Sequence, residues 1–203
     1  MSVDMLEIEN DLHKQGYSLI CGVDEAGRGP LAGPVCAAAV ILPENTEIPG
    51  LNDSKKLSDK RRRELFPVIK DTAVAYAIAF VDEKDIDKIN ILQATFKAMT
   101  EAVAGLNVTP GYVLVDGNKL PPLDVPAKAV VHGDSLSASI AAASILAKVS
   151  RDDLMLKMAE KYPEYGFDVH KGYGTKVHCN AILEHGPCPI HRTTFLKKLY
   201  GTK

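Results

Sequence analysis

YSLICGVDEAGRGPLAGPVCAAAVIL, residues 17–42, carries an apolar run into two adjacent acids, Asp24 and Glu25, then through a Gly/Pro-rich link into a second apolar run. The runs at 17–24 and 35–42 have the length and composition of strands, and turn residues bound them. The link GRGPLAGP is too short for a helical crossover, so the two strands are expected to be antiparallel neighbours. Acids at the end of a strand, beside a backbone with few side chains, call for a chemical reason.

Ser58 is placed to cap a helix over 57–72, with Pro67 expected to break or kink its end. Residues 73–82 read as a strand. In 82–106, Ile89, Leu92, Phe96, Met99 and Val103 recur at intervals of three and four, one face of a helix that Gly105 would close. Two more apolar runs, YVLVDG at 112–117 and AVVHGD at 129–134, end in or just after acids, Asp116 and Asp134. A long helix rich in small residues spans 135–162, and the remainder reads as loop-rich with one short helix. Hairpin strands followed by strands alternating with helices predict an α/β protein. The expectation is a mixed sheet flanked by helices in one domain over 1–203, with a small helical C-terminal part from about residue 160.

Of 203 residues, 46% are hydrophobic and 25% charged, ordinary values for a globular protein. No apolar run reaches the roughly 18 residues of a membrane span. The acidic start lacks the basic and apolar regions of a secretory signal, so a soluble cytoplasmic protein is expected. Cys21 and Cys36 lie in apolar runs as reduced thiols. His178, Cys179, His185, Cys188 and His191 crowd the tail without the paired spacing of a structural zinc site. Net charge is −2 but unevenly divided, −6 over residues 1–147 and +4 over 148–203. A solvated helical surface accounts for such a basic end unless an anionic partner is argued independently.

Taken singly, Asp24, Glu25, Asp116 and Asp134 are explained as turn residues or caps, Asp134 before Ser135 being a good N-cap. Taken together, strand-end acids meet along one edge of an α/β sheet, where their repulsion calls for protons or cations. All-oxygen donors suit Mg²⁺ or Mn²⁺ better than Zn²⁺. Gly27, Arg28 and Gly29 match neither GxxxxGK[ST] nor GxGxxG. They form either a plain turn or a bare backbone on which a ligand's sugar can lie, with Arg28 as phosphate or sugar partner.

DEAGRGPLAGP, NDSKKLS, VDGNKLP, HGDSLSASIAAASILAKVSRD and HKGYGTKVH occur in this order, and from Tyr17 to Phe195 the chain resembles the bacterial ribonuclease HII family. The resemblance implies a ribonuclease H-like fold, hydrolysis of the RNA strand of RNA/DNA hybrids, and cleavage 5′ of ribonucleotides embedded in duplex DNA. It implies two divalent metals, Mg²⁺ or Mn²⁺, on Asp24, Glu25, Asp116 and Asp134, and products with 5′-phosphate and 3′-hydroxyl ends. It also implies that Gly27, Arg28 and Gly29 read a ribose 2′-hydroxyl while Tyr173 packs on the neighbouring sugar. With an anionic partner in view, Lys55, Lys148, Arg151, Lys171 and Lys176 become candidate phosphate contacts. A monomer is expected. Ribonuclease HIII, with an extra N-terminal domain and a loop lacking this arginine, is the alternative within the class. A non-catalytic nucleic-acid-binding module is the alternative outside it, and retention of all four acids counts against that reading.

Overall fold

A computed structural model describes residues 4–52, 54, 56–197 and 199–201. Its strands are β1 (Ile20–Ala26), β2 (Val35–Ile41), β3 (Ala75–Val81), β4 (Tyr112–Asp116) and β5 (Ala127–Val130). Its helices are α1 (Glu7–Lys14), α2 (Asp59–Thr72), α3 (Glu83–Ala104), α4 (Ala138–Lys161), α5 (Phe167–His170), α6 (Lys176–His185) and α7 (Thr193–Leu196). The strands form one sheet in the order β3-β2-β1-β4-β5. The β1–β2 and β2–β3 pairs are antiparallel, as the short link requires, whereas β1–β4 and β4–β5 are parallel.

The pleat of β2, buried along its whole length, divides the core. Val35, Ala37, Ala39 and Ile41 face α3, while Cys36, Ala38 and Val40 face α2 and α4. Both faces being covered, the strand reads as a continuous apolar run rather than an alternating one. Among the described residues, no helix is long and apolar enough to cross a membrane.

Several local expectations are corrected. The helix α1 was not foreseen; its Leu12 packs with Ile20, Leu114, Val130 and Ile140, and its buried Glu9 accepts hydrogen bonds from Ser137 Oγ (2.6 Å) and Ser139 N (3.0 Å). A carboxylate there also suits the positive end of α4. Pro67 does not end α2, which continues to Thr72. The ring leaves only the Arg63 carbonyl without its helical donor. Within α3, Asn90 adopts a positive φ of 68° and its Oδ1 accepts from the amides of Leu92 and Gln93, restarting the helix there. The restart resets the helical phase, so the buried face runs through Ile86, Ala94, Ala98, Met99 and Ala102 rather than the even stripe expected. The last apolar run pairs only as far as Val130, and α4 is capped by Ser137 instead of Asp134. Among the described residues, the tail holds three short α-helices, not one, packed around Ala32, Met155, Tyr165, Phe167, Ile182 and Leu196.

The backbone of α4 lies directly on β1. A Cβ on Gly22 would overlap the Ser139 carbonyl and the Ile140 nitrogen, so only glycine permits this approach. In the tail, His178 and His191 join in a hydrogen-bonded ladder. His178 Nδ1 donates to the Tyr173 carbonyl (2.9 Å), and His191 Nδ1 accepts the Cys188 amide (2.9 Å). Those partners fix the tautomers, leaving His191 Nε2–H to donate to His178 Nε2 at 2.9 Å. Burial pulls His178 down from the ordinary histidine value to about 4.

Two outcomes follow from this packing. Gly22→Ala should cost about 3 kcal/mol in urea unfolding, because helix backbone rather than a flexible side chain must move. A cost below about 0.5 kcal/mol would mean α4 stands further from the sheet. For His178, the neutral form is the folded one, so its stabilisation is complete above the unfolded pKa of about 6.5 and is lost as pH falls from there through about 4. His178→Gln should therefore be less stable than wild type at neutral pH and lose less on acidification across that window; parallel melting curves would contradict the ladder.

Candidate active site

Strand register brings the acids together. Val23 pairs with Val115 in the parallel β1–β4 ladder, so Asp24 and Asp116 come next, side by side on adjacent strands. β5 ends opposite Asp116 at Val130, and the chain then turns through His132, with a left-handed φ of 57°, into a 3₁₀ turn at Gly133–Ser135. That turn carries Asp134 back to the same edge. Oxygens of Asp24, Asp116 and Asp134 all lie within 4.8 Å of one another. The Gly133 amide donates to Asp116 Oδ1 (2.7 Å) and the Glu25 amide donates to Asp24 Oδ1 (2.7 Å), while the Ser144 hydroxyl on α4 lines the same cleft.

Burial is the largest influence on Asp24, and it drives the carboxyl well above the usual aspartate range. Charges on Glu25 and Asp116 push the same way, more strongly than the Ser144 hydroxyl pulls back. Three oxygen donors around a carboxyl that resists ionisation make a site for a hard cation, whose charge offsets the repulsion. Glu25 adds a fourth carboxyl to the same cleft, and its charge acts on Asp24 more strongly than that of Asp116 does. The pleat turns Glu25 away from Asp24, and its Oε1 accepts from Arg28 Nη1 at 3.3 Å.

A cleft of about 240 Å³ opens beside the acids, lined by Asp24, Glu25, Gly27, Arg28, Gly29, Asp116, Lys148 and Tyr173, with Ser54, Arg62 and Ser144. The two glycines of the loop differ in kind. Gly27 has a φ of 96°, and a Cβ there would overlap the Arg151 side chain, so the fold itself demands glycine. At Gly29 a Cβ would meet only Tyr173 Cε1, at an ordinary 3.6 Å. Its bareness therefore has no explanation in packing and suits a ligand lying between loop and ring. Tyr173 is 44% exposed, and Lys148 Nζ donates to Asp152 Oδ1 at 2.8 Å.

The expected phosphate contacts divide. Arg151 is 1% exposed and donates to the carbonyls of Ala32, Pro34 and Lys171, so it braces the loops instead of meeting a ligand. Lys171 Nζ donates to the Asp168 carbonyl, Lys176 is exposed at the start of α6, and Lys55 lies outside the described residues. Ser54, Arg62, Ser144 and Arg192 were not singled out from the sequence. Ser144 and Ser54 share a 2.7 Å hydrogen bond beside Asp24, and Arg62 donates to the carbonyls of Ser54 and Leu57. Ser144 in a small-residue helix, Arg62 in a basic one, Ser54 in a turn and Arg192 just before α7 carry no local mark of such roles; only a contact across the fold reveals them.

A family model described as Ribonuclease HII matches residues 21–198. A curated Ribonuclease HII from Caldicellulosiruptor saccharolyticus is 55% identical over 193 residues, covering 95% of this chain and 94% of the relative. Another, from Geotalea uraniireducens, is 57% identical over 191 residues, covering 94% and 88%. The crystal structure of ribonuclease H2 from Pyrococcus horikoshii OT3 superposes with a TM-score of 0.74 at 28% identity, covering 90% of this chain and 97% of that one. Sequence likeness of this extent, on a sheet of the same architecture, makes the chain a member of the ribonuclease HII family, endonucleases that act on the RNA of RNA/DNA hybrids.

Proposed function

We propose that this chain cuts RNA/DNA hybrids, and duplex DNA on the 5′ side of single embedded ribonucleotides, using Mg²⁺ or Mn²⁺ held by Asp24, Glu25, Asp116 and Asp134. The supporting observation is the approach of three carboxylates to within 4.8 Å around the buried Asp24, whose carboxyl is pushed above the usual aspartate range. A donor set of carboxylate oxygens fits either cation. Bound there, divalent cations would polarise the scissile phosphate and make an attacking water more acidic. The Glu25 and Gly133 amides keep two of the carboxylates oriented before any ligand arrives.

Recognition falls to the other side of the cleft. The slot between Gly29 and Tyr173 accepts a sugar against bare backbone, where a 2′-hydroxyl is the one group that separates RNA from DNA. Lys148 offers a charge to the phosphate, and the salt bridge to Asp152 holds its ammonium at the cleft wall. Hydrolysis of this kind leaves 5′-phosphate and 3′-hydroxyl ends.

Asp24→Asn should reduce Mg²⁺-dependent cleavage by at least about 10²-fold while improving the fold. An acid held protonated in the folded state loses stability as pH rises above the ordinary value of about 3.9, and an amide does not. In EDTA the variant should melt above wild type at about pH 8, with the gap closing toward about pH 4. Mg²⁺ should raise the wild-type melting temperature more than the variant's. A variant that melts below wild type in EDTA, or cleaves normally, removes Asp24 from this role.

A DNA duplex with one ribonucleotide should be cut on its 5′ side, and the all-deoxy duplex should be cut on the order of 10⁴-fold more slowly, since a site built for a hydroxyl is left with unpaired polar groups. Gly29→Ala should keep wild-type stability yet lose about tenfold in kcat/KM on that substrate, because its methyl enters the slot. Cleavage of long hybrids only, with the single ribonucleotide spared, would favour the ribonuclease HIII-like alternative.

A further inference from the structure

Arg192 is fully buried, yet it forms no salt bridge among the described residues. Its guanidinium donates instead to three carbonyls of the glycine-rich loop: Nη2 to Gly27 (2.6 Å), Nη1 to Arg28 (2.9 Å) and Nε to Gly33 (2.9 Å). Burial lowers its pKa to about 9, a sign of how costly the location is for a cation. A buried charge spent on main-chain carbonyls beside a cleft must do something that a cheaper apolar side chain would not.

Peptide planarity supplies the reason. In a trans peptide the N–H points opposite to the C=O of the same unit. Turning the Gly27 and Arg28 carbonyls inward to Arg192 therefore turns the N–H groups of Arg28 and Gly29 outward, on the side where both residues line the cleft. Neither amide has a protein acceptor among the described residues. Asp87 on α3 sets the far end of the device. Its two oxygens accept from the amides and hydroxyls of Thr193 and Thr194 at 2.5–3.0 Å, seating the residues that follow Arg192.

We infer that Arg192, seated by Asp87 through Thr193 and Thr194, is the positioning residue that aims the Arg28 and Gly29 amides at the ribose of the substrate. It touches no substrate itself. The inference rests on the ribose-reading role of the loop, and it assigns specificity for the ribonucleotide to a residue more than 160 positions further along the chain. A lysine cannot reproduce it, because one ammonium lacks the planar fork that holds three carbonyls at once.

The test uses the full chain and two substrates, a duplex with one ribonucleotide and its all-deoxy counterpart, with Mn²⁺ affinity of the substrate-free protein measured by calorimetry. Arg192→Lys should lower kcat/KM on the ribonucleotide duplex about 10- to 100-fold, the range for groups that orient a reacting site from behind, with Mn²⁺ affinity within about twofold of wild type. Arg192→Ala should lose more and recover in part when guanidinium is added at millimolar concentration. Asp87→Asn should show the same signature in weaker form. Wild-type kcat/KM in Arg192→Lys would overturn the inference, as would a loss of Mn²⁺ affinity parallel to the loss of rate, which marks a general structural defect. Should Arg192→Ala fail to fold, Arg192→Lys and Asp87→Asn decide the matter. Failure of the wild-type protein to cut at the ribonucleotide would instead overturn the parent reading of the loop.

Discussion

The close approach of α4 to β1 at Gly22 is the constraint on which the cleft depends. With no side chain between strand and helix, the helix backbone presses against the sheet, and about one turn later its Ser144 joins Asp24 in the lining of the cleft. Lys148 follows one turn on and enters the same cleft, and Arg151 reaches the loop carbonyls behind it. A helix standing one side chain further out would take Ser144 and Lys148 away from the acids they share the cleft with. The small residues of α4 are thus less a matter of helix propensity than of distance.

Charge is arranged around that contact in two separate layers. The acids gather at the open edge, where burial and mutual repulsion leave Asp24 poorly ionised until a cation arrives. Behind the loop, Arg151 and Arg192 are buried without neutralising those acids, since their donors are taken up by carbonyls of residues 27–34 and of Lys171. Keeping the guanidiniums on carbonyls leaves the acid cluster negative and available. The site is therefore a place where the fold gives up stability, and the tail that supplies Arg192 restores order to the loop next to it.

Much of this was legible from residue patterns. The apolar runs at 17–24 and 35–42 and the short link between them gave an antiparallel pair, because eight residues cannot make a crossover. Acids at the ends of β1 and β4 were legible because ionisable groups interrupt apolar runs only for a reason. Errors arose where a local signal met a non-local one. Asn90 restarts α3 and shifts its buried face, and Arg151 looked like a surface cation because it follows a lysine in a basic segment.

By itself, the sequence determined the strands, the three longer helices α2, α3 and α4, the mixed sheet and the acids that end its apolar runs, since those follow from periodicity, turn chemistry and the cost of placing charge in apolar runs. Only the tertiary structure decided which acids share a site. Parallel register sets Asp24 beside Asp116, a 3₁₀ turn returns Asp134 to them, and the pleat directs Glu25 toward Arg28. It alone decided the fate of the arginines as well. Whether a guanidinium meets solvent or three backbone carbonyls depends on chain segments more than a hundred residues apart, and no local pattern of residues encodes that distance.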